Sequence, residues 1–175
     1  MTDTHNDDMN NRTELSHVSP SGDARMVDIT DKAPVRRAAL AETWVDVGAD
    51  IAERLRQTGG IAKGNVLETA RIAGIMAAKR TAEIIPMCHP LVLDSVDVSA
   101  ELLDARVRLV AHVACEGKTG VEMEAMTAVT VAALTVYDMV KSAGKGVQIG
   151  PVRLLEKLGG KSGHWKRKEN CDGKD

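Results

Sequence analysis

The sequence predicts an α+β fold, a split βαβ sandwich whose antiparallel sheet carries its helices on one face, and three observations lead there. Two segments that alternate apolar and polar residues, Leu91 to Leu102 and Arg106 to Cys115, adjoin across Leu103-Asp104-Ala105 as the arms of a hairpin. Between Glu124 and Asp138 lies an uncharged run, Ala125 to Tyr137, that reads as a buried helix. From Asn65 onward the order is helix, strand, strand, helix, strand, and a strand ahead of it completes the pattern.

Taken in order, residues 1–25 are rich in Asp, Asn, Ser and Thr and too poor in apolar side chains to order themselves, so a flexible tail is expected. Residues 26–163 form a single domain, since 175 residues suffice for one real core and hardly two. Met26 to Thr30 and Ala38 to Val47 have β-like character. Asp50 to Gln57 sets Ile51 and Leu55 four apart before Gly59-Gly60, a short amphipathic helix with a glycine stop. Asn65, with Glu68 three positions on, has the spacing of a capping box and opens a helix running to about Glu83, ahead of Pro86.

In the first hairpin strand Val92, Val96 and Val98 share one face, opposite Ser95, Asp97 and Ser99. In the second, Val107, Leu109, Ala111, Val113 and Cys115 point one way, and Arg106, Arg108 and His112 the other. The uncharged run is shorter than the roughly 20 residues of a membrane span, and it holds three threonines. A helix apolar all round needs cover all round, and a second subunit is expected to supply what one sheet cannot. Val147 to Leu158 gives a last strand, and residues 164–175 a flexible basic tail.

Composition excludes several function classes. Aromatic residues make up only 2%, with no Phe, so stacking platforms for single-stranded nucleic acid are not expected. A net charge of -2 gives no surplus for nonspecific phosphate-backbone binding. Three widely spaced cysteines, Cys88, Cys115 and Cys171, suit a reducing compartment, and no apolar signal core opens the chain. A cytoplasmic protein is the simplest reading.

Chemically active side chains crowd both ends of the uncharged run. Lysine adjoins glycine at Lys63-Gly64, Gly117-Lys118, Lys145-Gly146 and Gly160-Lys161. Converging loops of that kind would suit a polyphosphate, while any one alone is an ordinary surface loop. Gly117-Lys118-Thr119 stands between a strand and a helix, but a P-loop needs glycine where His112 stands, so only an anion-holding helix start survives. Pro86-Met87-Cys88-His89-Pro90 stiffens the backbone around His89, which is either presented to a ligand or packed at a strand entrance. Zinc on Cys88, His89, His112 and Cys115 is set aside because His112 and Cys115 fall on opposite faces of one strand.

Asp138 and Lys141 are three apart, neighbours on a helix end. The end of the helix disfavours the Asp138 carboxylate unless Lys141 neutralises it, which leaves two readings, a general acid/base or an ordinary salt bridge. Glu122 and Glu124 could be acids favoured in a first helical turn.

In order along the chain, these segments resemble the cyclic pyranopterin monophosphate synthase family of molybdenum cofactor biosynthesis. The residues that carry the resemblance are Met26-Val27-Asp28-Ile29, Lys63-Gly64-Asn65-Val66, Thr69 to Ile75, Ala77 to Thr81 and Ile85 to Leu91. Gly117 to Ala125, Tyr137-Asp138-Met139, Lys141, Ile149 to Leu155 and Gly159 to Gly163 continue it, so it covers Met26 to about Gly163.

The resemblance implies a ferredoxin-like subunit, a homohexamer built as a trimer of dimers, and active sites at subunit interfaces. It implies a nucleotide-derived triphosphate substrate, 3',8-cyclo-7,8-dihydroguanosine 5'-triphosphate, and no redox cofactor, with Mg2+ on the phosphates left open. By position, Asp138 matches the catalytic acid/base, Lys141 its partner and Lys63 a functional lysine. Met87-Cys88-His89 and Met123-Glu124 match substrate contacts, and Glu122, Lys157 and Lys161 further pocket positions. An N-terminal arginine of the pattern falls on Arg37, with Arg36 beside it. A nonenzymatic polyphosphate sensor using the same basic loops is the competing reading.

Overall fold

A computed structural model describes residues 19, 21–58, 65–160 and 163–168. The central strand β1, Val35–Asp46, is followed by helices α1, Ala49–Thr58, α2, Val66–Ala78, and α3, Thr81–Ile84. The hairpin β2, Ser95–Leu103, and β3, Arg106–Gly117, leads into the long helix α4, Glu122–Val140. Strands β4, Gln148–Ile149, β5, Arg153–Leu158, and β6, His164–Lys166, end the described chain.

The sheet runs β2-β3-β1-β5-β6, every neighbouring pair antiparallel, and β4 pairs with the far end of β1. This is the ferredoxin-like split βαβ order, with α2 and α4 on one face.

Alternation dictates the core. Val107, Leu109, Ala111, Val113 and Cys115 of β3 are all buried, as the period of two requires. Against them pack Ala39, Ala41 and Val45 of β1 and Ala125, Ala128, Val129, Ala132 and Val136 of α4. His112 points to the opposite, open face and is exposed. The hairpin turn is Asp104-Ala105, and Asp104 takes the left-handed φ of 51° that a short polar side chain tolerates.

Within α4 the hydroxyls of Thr130 and Thr135 donate to the carbonyls of Met126 and Val131, both at 2.8 Å. These two threonines thus sit in an apolar helix with their hydroxyls paired. By length and hydropathy α4 could cross a membrane, yet it lies against the sheet and α2 as a core helix. One chain does not cover it fully: Met123, Leu134 and Tyr137 remain exposed, as do Ile72 and Met76 of α2.

α2 and α4 cross closely at Gly74, where a Cβ would meet the Ala128 carbonyl oxygen at 3.0 Å and a Val98 methyl at 3.3 Å. A backbone oxygen cannot swing aside as a side chain can. We expect Gly74→Val to lower unfolding free energy by about 1–3 kcal/mol through overpacking, read as a fall in the urea midpoint at unchanged slope.

Several boundaries differ from the sequence reading. Met26 to Thr30 is no strand; the Asp28 carboxylate accepts from the Thr30 amide at 2.8 Å and hydroxyl at 2.6 Å, a local turn that competes with pairing. The helix expected to run from Asn65 to Glu83 breaks at Lys79-Arg80. Its start is as expected, with Asn65 accepting from the Glu68 amide at 3.0 Å, but the Glu68 carboxylate turns to Arg71 instead of closing the box.

The strand expected from Leu91 begins at Ser95, and Val92, assigned to the apolar face, is 87% exposed. The Asp94 carboxylate accepts from the Glu116 amide at 2.8 Å and occupies β3 where the ladder would continue. The last strand is two strands, interrupted at Gly150-Pro151, where proline lacks the amide a ladder needs. His164–Lys166, at the start of the expected C-terminal tail, forms β6 on the sheet edge. The Gly59-Gly60 stop lies outside the described residues.

Candidate active site

Two adjoining hollows occupy the end of the domain where α4 begins. The first, about 350 Å³, is lined by Met87, Cys88 and His89 from the proline-flanked loop and by Glu122, Met123 and Glu124 from the first turn of α4. Val27, Ile29, Lys32 and Leu91 add to its wall. The second, about 670 Å³, is lined by Lys32, Arg37, Lys118 and Lys157 and by the Gly159-Gly160 corner. Thr119, Gly120, Glu122 and Lys32 belong to both, so an acid-lined cleft opens into a cationic groove.

Sequence explains how each group is held. Proline on both sides of Met87-Cys88-His89 limits that loop's backbone. Glu122 and Glu124 stand where the unsatisfied amides of α4 favour negative charge. Arg37, on β1 opposite Cys115, is 8% exposed and donates through Nε to the Gly117 carbonyl at 3.3 Å and through Nη2 to the Lys118 carbonyl at 3.4 Å. It thereby fixes the loop before α4. Gly160, at φ +79°, leaves the room Arg37 fills, since a Cβ there would collide with Nη1.

Glu124 is the electrostatic anomaly. It is 4% exposed, and its Oε2 has no hydrogen-bond partner among the described residues. Burial pushes its carboxyl above the ordinary glutamate range, and the charge of Glu122 pushes the same way against a backbone hydrogen bond. Glu122 itself is paired, with Lys157 Nζ 2.5 Å from its Oε1. Burial also raises the Cys88 thiol, and Glu124 adds to it, so Cys88 stands in the cleft as a neutral thiol.

The raised Glu124 carboxyl has a pH consequence. In the unfolded chain glutamate ionises at its ordinary value while the folded group keeps its proton, so stability falls as pH rises above that value and levels off once the folded group ionises. Glu124→Gln, an isostere of the protonated acid, should therefore raise the melting temperature at pH 7, with about 1 kcal/mol or more regained from the unpaired charge. Calorimetry should show this gain vanish below about pH 4, where the wild-type carboxyl is protonated in both states.

The expected catalytic pair lies elsewhere. Lys141 Nζ is 2.7 Å from Asp138 Oδ1 at the other end of α4, with both side chains more than half exposed. The hydrogen bond it donates to the Asp138 carboxylate holds the Lys141 ammonium above the ordinary lysine range. This is the neutralising contact that offsets the helix end for Asp138. Fourteen positions separate Glu124 from Asp138, and at about 1.5 Å each they put the two ends of α4 roughly 20 Å apart. One chain therefore brings together Arg37, Met87, Cys88, His89, Glu122, Met123, Glu124 and Lys157 but not Asp138 and Lys141. Lys63 and Lys161 lie outside the described residues.

The sequence reading missed Lys32 and the Val27 and Ile29 wall. The alternation of Val27 and Ile29 does put both on one face, but nothing in Lys32's spacing marks it.

Acids line one end of this site and cations the other, which sets the chain among α+β sandwich proteins with a cleft of two polarities. Comparison with known proteins narrows that class: the MoaC family profile matches residues 26–160, and the chain belongs to this family. A cyclic pyranopterin monophosphate synthase of Corynebacterium efficiens is 54% identical over 153 residues, covering 87% of this chain and 98% of the relative. One of Heliobacterium modesticaldum is 52% identical over 157 residues, covering 89% and 98%.

Proposed function

We propose that this protein is a cyclic pyranopterin monophosphate synthase, a lyase of molybdenum cofactor biosynthesis. It converts 3',8-cyclo-7,8-dihydroguanosine 5'-triphosphate to cyclic pyranopterin monophosphate and diphosphate. The observation that carries this reading is the match to relatives of that name over nearly their whole length. The acid-lined cleft that runs into a cationic groove supports it.

The chemistry needs both ends. A hydroxyl gives its proton to a base and attacks the α-phosphorus in line, the bond to the bridging oxygen breaks, and diphosphate leaves with the electron pair. Preplaced cations stabilise that developing charge, and the groove supplies Arg37, Lys118 and Lys157, joined in our assignment by Lys63 and Lys161. Ring rearrangement needs proton transfers, which we assign to Asp138 and Lys141, with Met87, Cys88, His89, Glu122, Met123 and Glu124 holding the ring system.

Because Asp138 and Lys141 are remote from the cleft of their own chain, the working site joins two subunits. The exposed apolar residues Ile72, Met76, Leu134 and Tyr137 on the helix layer support self-association. We assign the assembly as a homohexamer, a trimer of dimers, and the compartment as the cytoplasm.

Incubation with the cyclised triphosphate tests the reading, with a pterin phosphate and diphosphate as expected products. Tight binding of that compound without release of diphosphate would instead make the protein a sensor.

A further inference from the structure

We propose that Glu156 and His164 are positioning residues for the cationic groove, although neither lines it. Their contact grips the base of the β5–β6 hairpin and so places Lys157 and the Gly159-Gly160 corner for the phosphates. The assignment rests on the function proposed above.

The sheet register puts the pair where it can do this. Glu156 and Lys157 are consecutive on β5, so they face opposite sides of the sheet. Lys157, opposite Ala39, turns to the helix side, where its ammonium holds Glu122. Glu156 turns to the open side, where it and His164 border a hollow shared with His112. There Glu156 Oε1 lies 2.6 Å from His164 Nε2. Glu156 stands opposite Lys166 and His164 opposite Leu158, so the contact runs diagonally across the ladder and resists a slip of register.

β6 needs such a grip. It has three residues, and β5 is its one sheet neighbour. The turn between them takes φ +95° at Gly159 and +79° at Gly160, and it has no side chains there to hold its shape. Yet that turn reaches the groove. A Cβ at Gly159 would strike the Arg36 carbonyl oxygen and one at Gly160 the Arg37 Nη1, so the corner lies directly against the arginine that fixes the loop before α4. A hairpin that slips moves Lys157 and releases Arg37 together.

The fold at large does not depend on the pair. The His164 and Glu156 side chains are 55% and 37% exposed, and neither belongs to a buried cluster. The other end of the hairpin is tied separately, the Arg167 amide donating to the Leu155 carbonyl at 2.7 Å and its Nε to the Leu154 carbonyl at 2.9 Å. Loss of the contact therefore loosens the groove end alone.

The test compares wild type with His164→Ala, Glu156→Ala, the double variant and His164→Gln. Glu53→Ala, which breaks the ion pair to Arg56 on α1, is the control. Calorimetric titration with inorganic diphosphate and steady-state kinetics with the cyclised triphosphate are the readouts, with melting temperatures as the check on folding. Each alanine variant should weaken diphosphate binding and raise KM roughly 2- to 5-fold, the worth of a partly exposed side-chain contact, at nearly unchanged kcat and melting temperature. The double variant should be no worse than either single one, because the same contact is lost in all three. His164→Gln, whose amide can still donate to Glu156, should recover most of the loss, and Glu53→Ala should match wild type.

By charge alone, removal of an acid tightens the binding of an anion, so weaker diphosphate binding in Glu156→Ala reports on geometry. Tighter binding in that variant, unchanged binding in His164→Ala, or additive losses in the double variant would overturn the proposal. A parallel fall in kcat and melting temperature would overturn it as well, since the pair would then serve the fold at large. Diphosphate binding that depends on the pair, in a wild type that forms no product, would refute the function alone. A wild type that does not bind diphosphate would refute the groove as a phosphate site and the positioning role with it.

Discussion

Asp138→Asn is expected to bind the cyclised triphosphate with unchanged affinity and to turn it over roughly 10²- to 10⁴-fold more slowly, the usual worth of a positioned proton donor or acceptor. The amide is isosteric with the carboxylate and can neither take nor give the proton. The Asp138 side chain is more than half exposed on α4, between buried Val136 and buried Met139, so the fold does not depend on its charge. Lys141 loses its anionic partner in the variant, and its raised proton affinity should fall toward the ordinary lysine value. Equilibrium binding and single-turnover kinetics separate the two effects. Turnover at the wild-type rate would leave the Asp138–Lys141 contact as an ordinary surface pair.

Mixing a cleft variant with a helix-end variant should give more activity than either alone. If each site takes its cleft from one chain and Asp138 from another, subunits carrying Asp138→Asn and subunits carrying Glu124→Gln form wild-type sites wherever an intact cleft meets an intact Asp138. Random assembly at equal amounts makes about a quarter of the sites intact, and turnover should return to about that fraction. Neither variant alone would supply any. The helix that links Glu124 to Asp138 is rigid and roughly 20 Å long between them, so no side chain can span the gap. A mixture as inactive as its components would mean that the two groups do not meet across an interface.

Parts of this structure were legible because they obey one local period. β3 buries every second residue from Val107 to Cys115, and β1 was recognisable from Ala38 to Val47 for the same reason. α4 was marked by thirteen uncharged residues in a row, and the Asn65 cap by chemistry that needs only the next turn. Met87, Cys88 and His89 could be singled out by their flanking prolines.

Other features depend on partners distant in the chain. The Met26 to Thr30 segment alternates like a strand, yet it has no ladder to join and instead turns on Asp28 and docks through Lys118, 88 positions beyond Thr30. Val92 has the right spacing for the apolar face, but the chain enters the sheet only after Asp94 has engaged Glu116. The break at Lys79-Arg80 carries no proline or glycine, the usual signals of a helix end.

By itself the sequence determined the alternation, the buried helix, the caps and the set of ionisable residues, because each follows from side chains a few positions apart. Only the tertiary structure decided that one carboxylate oxygen of Glu124 is buried without a partner among the described residues, that Lys32 stands where the cleft meets the groove, and that Asp138 lies a full helix away from both. Desolvation and electrostatic fields are sums over everything that surrounds a group, and most of those surroundings arrive from remote parts of the chain.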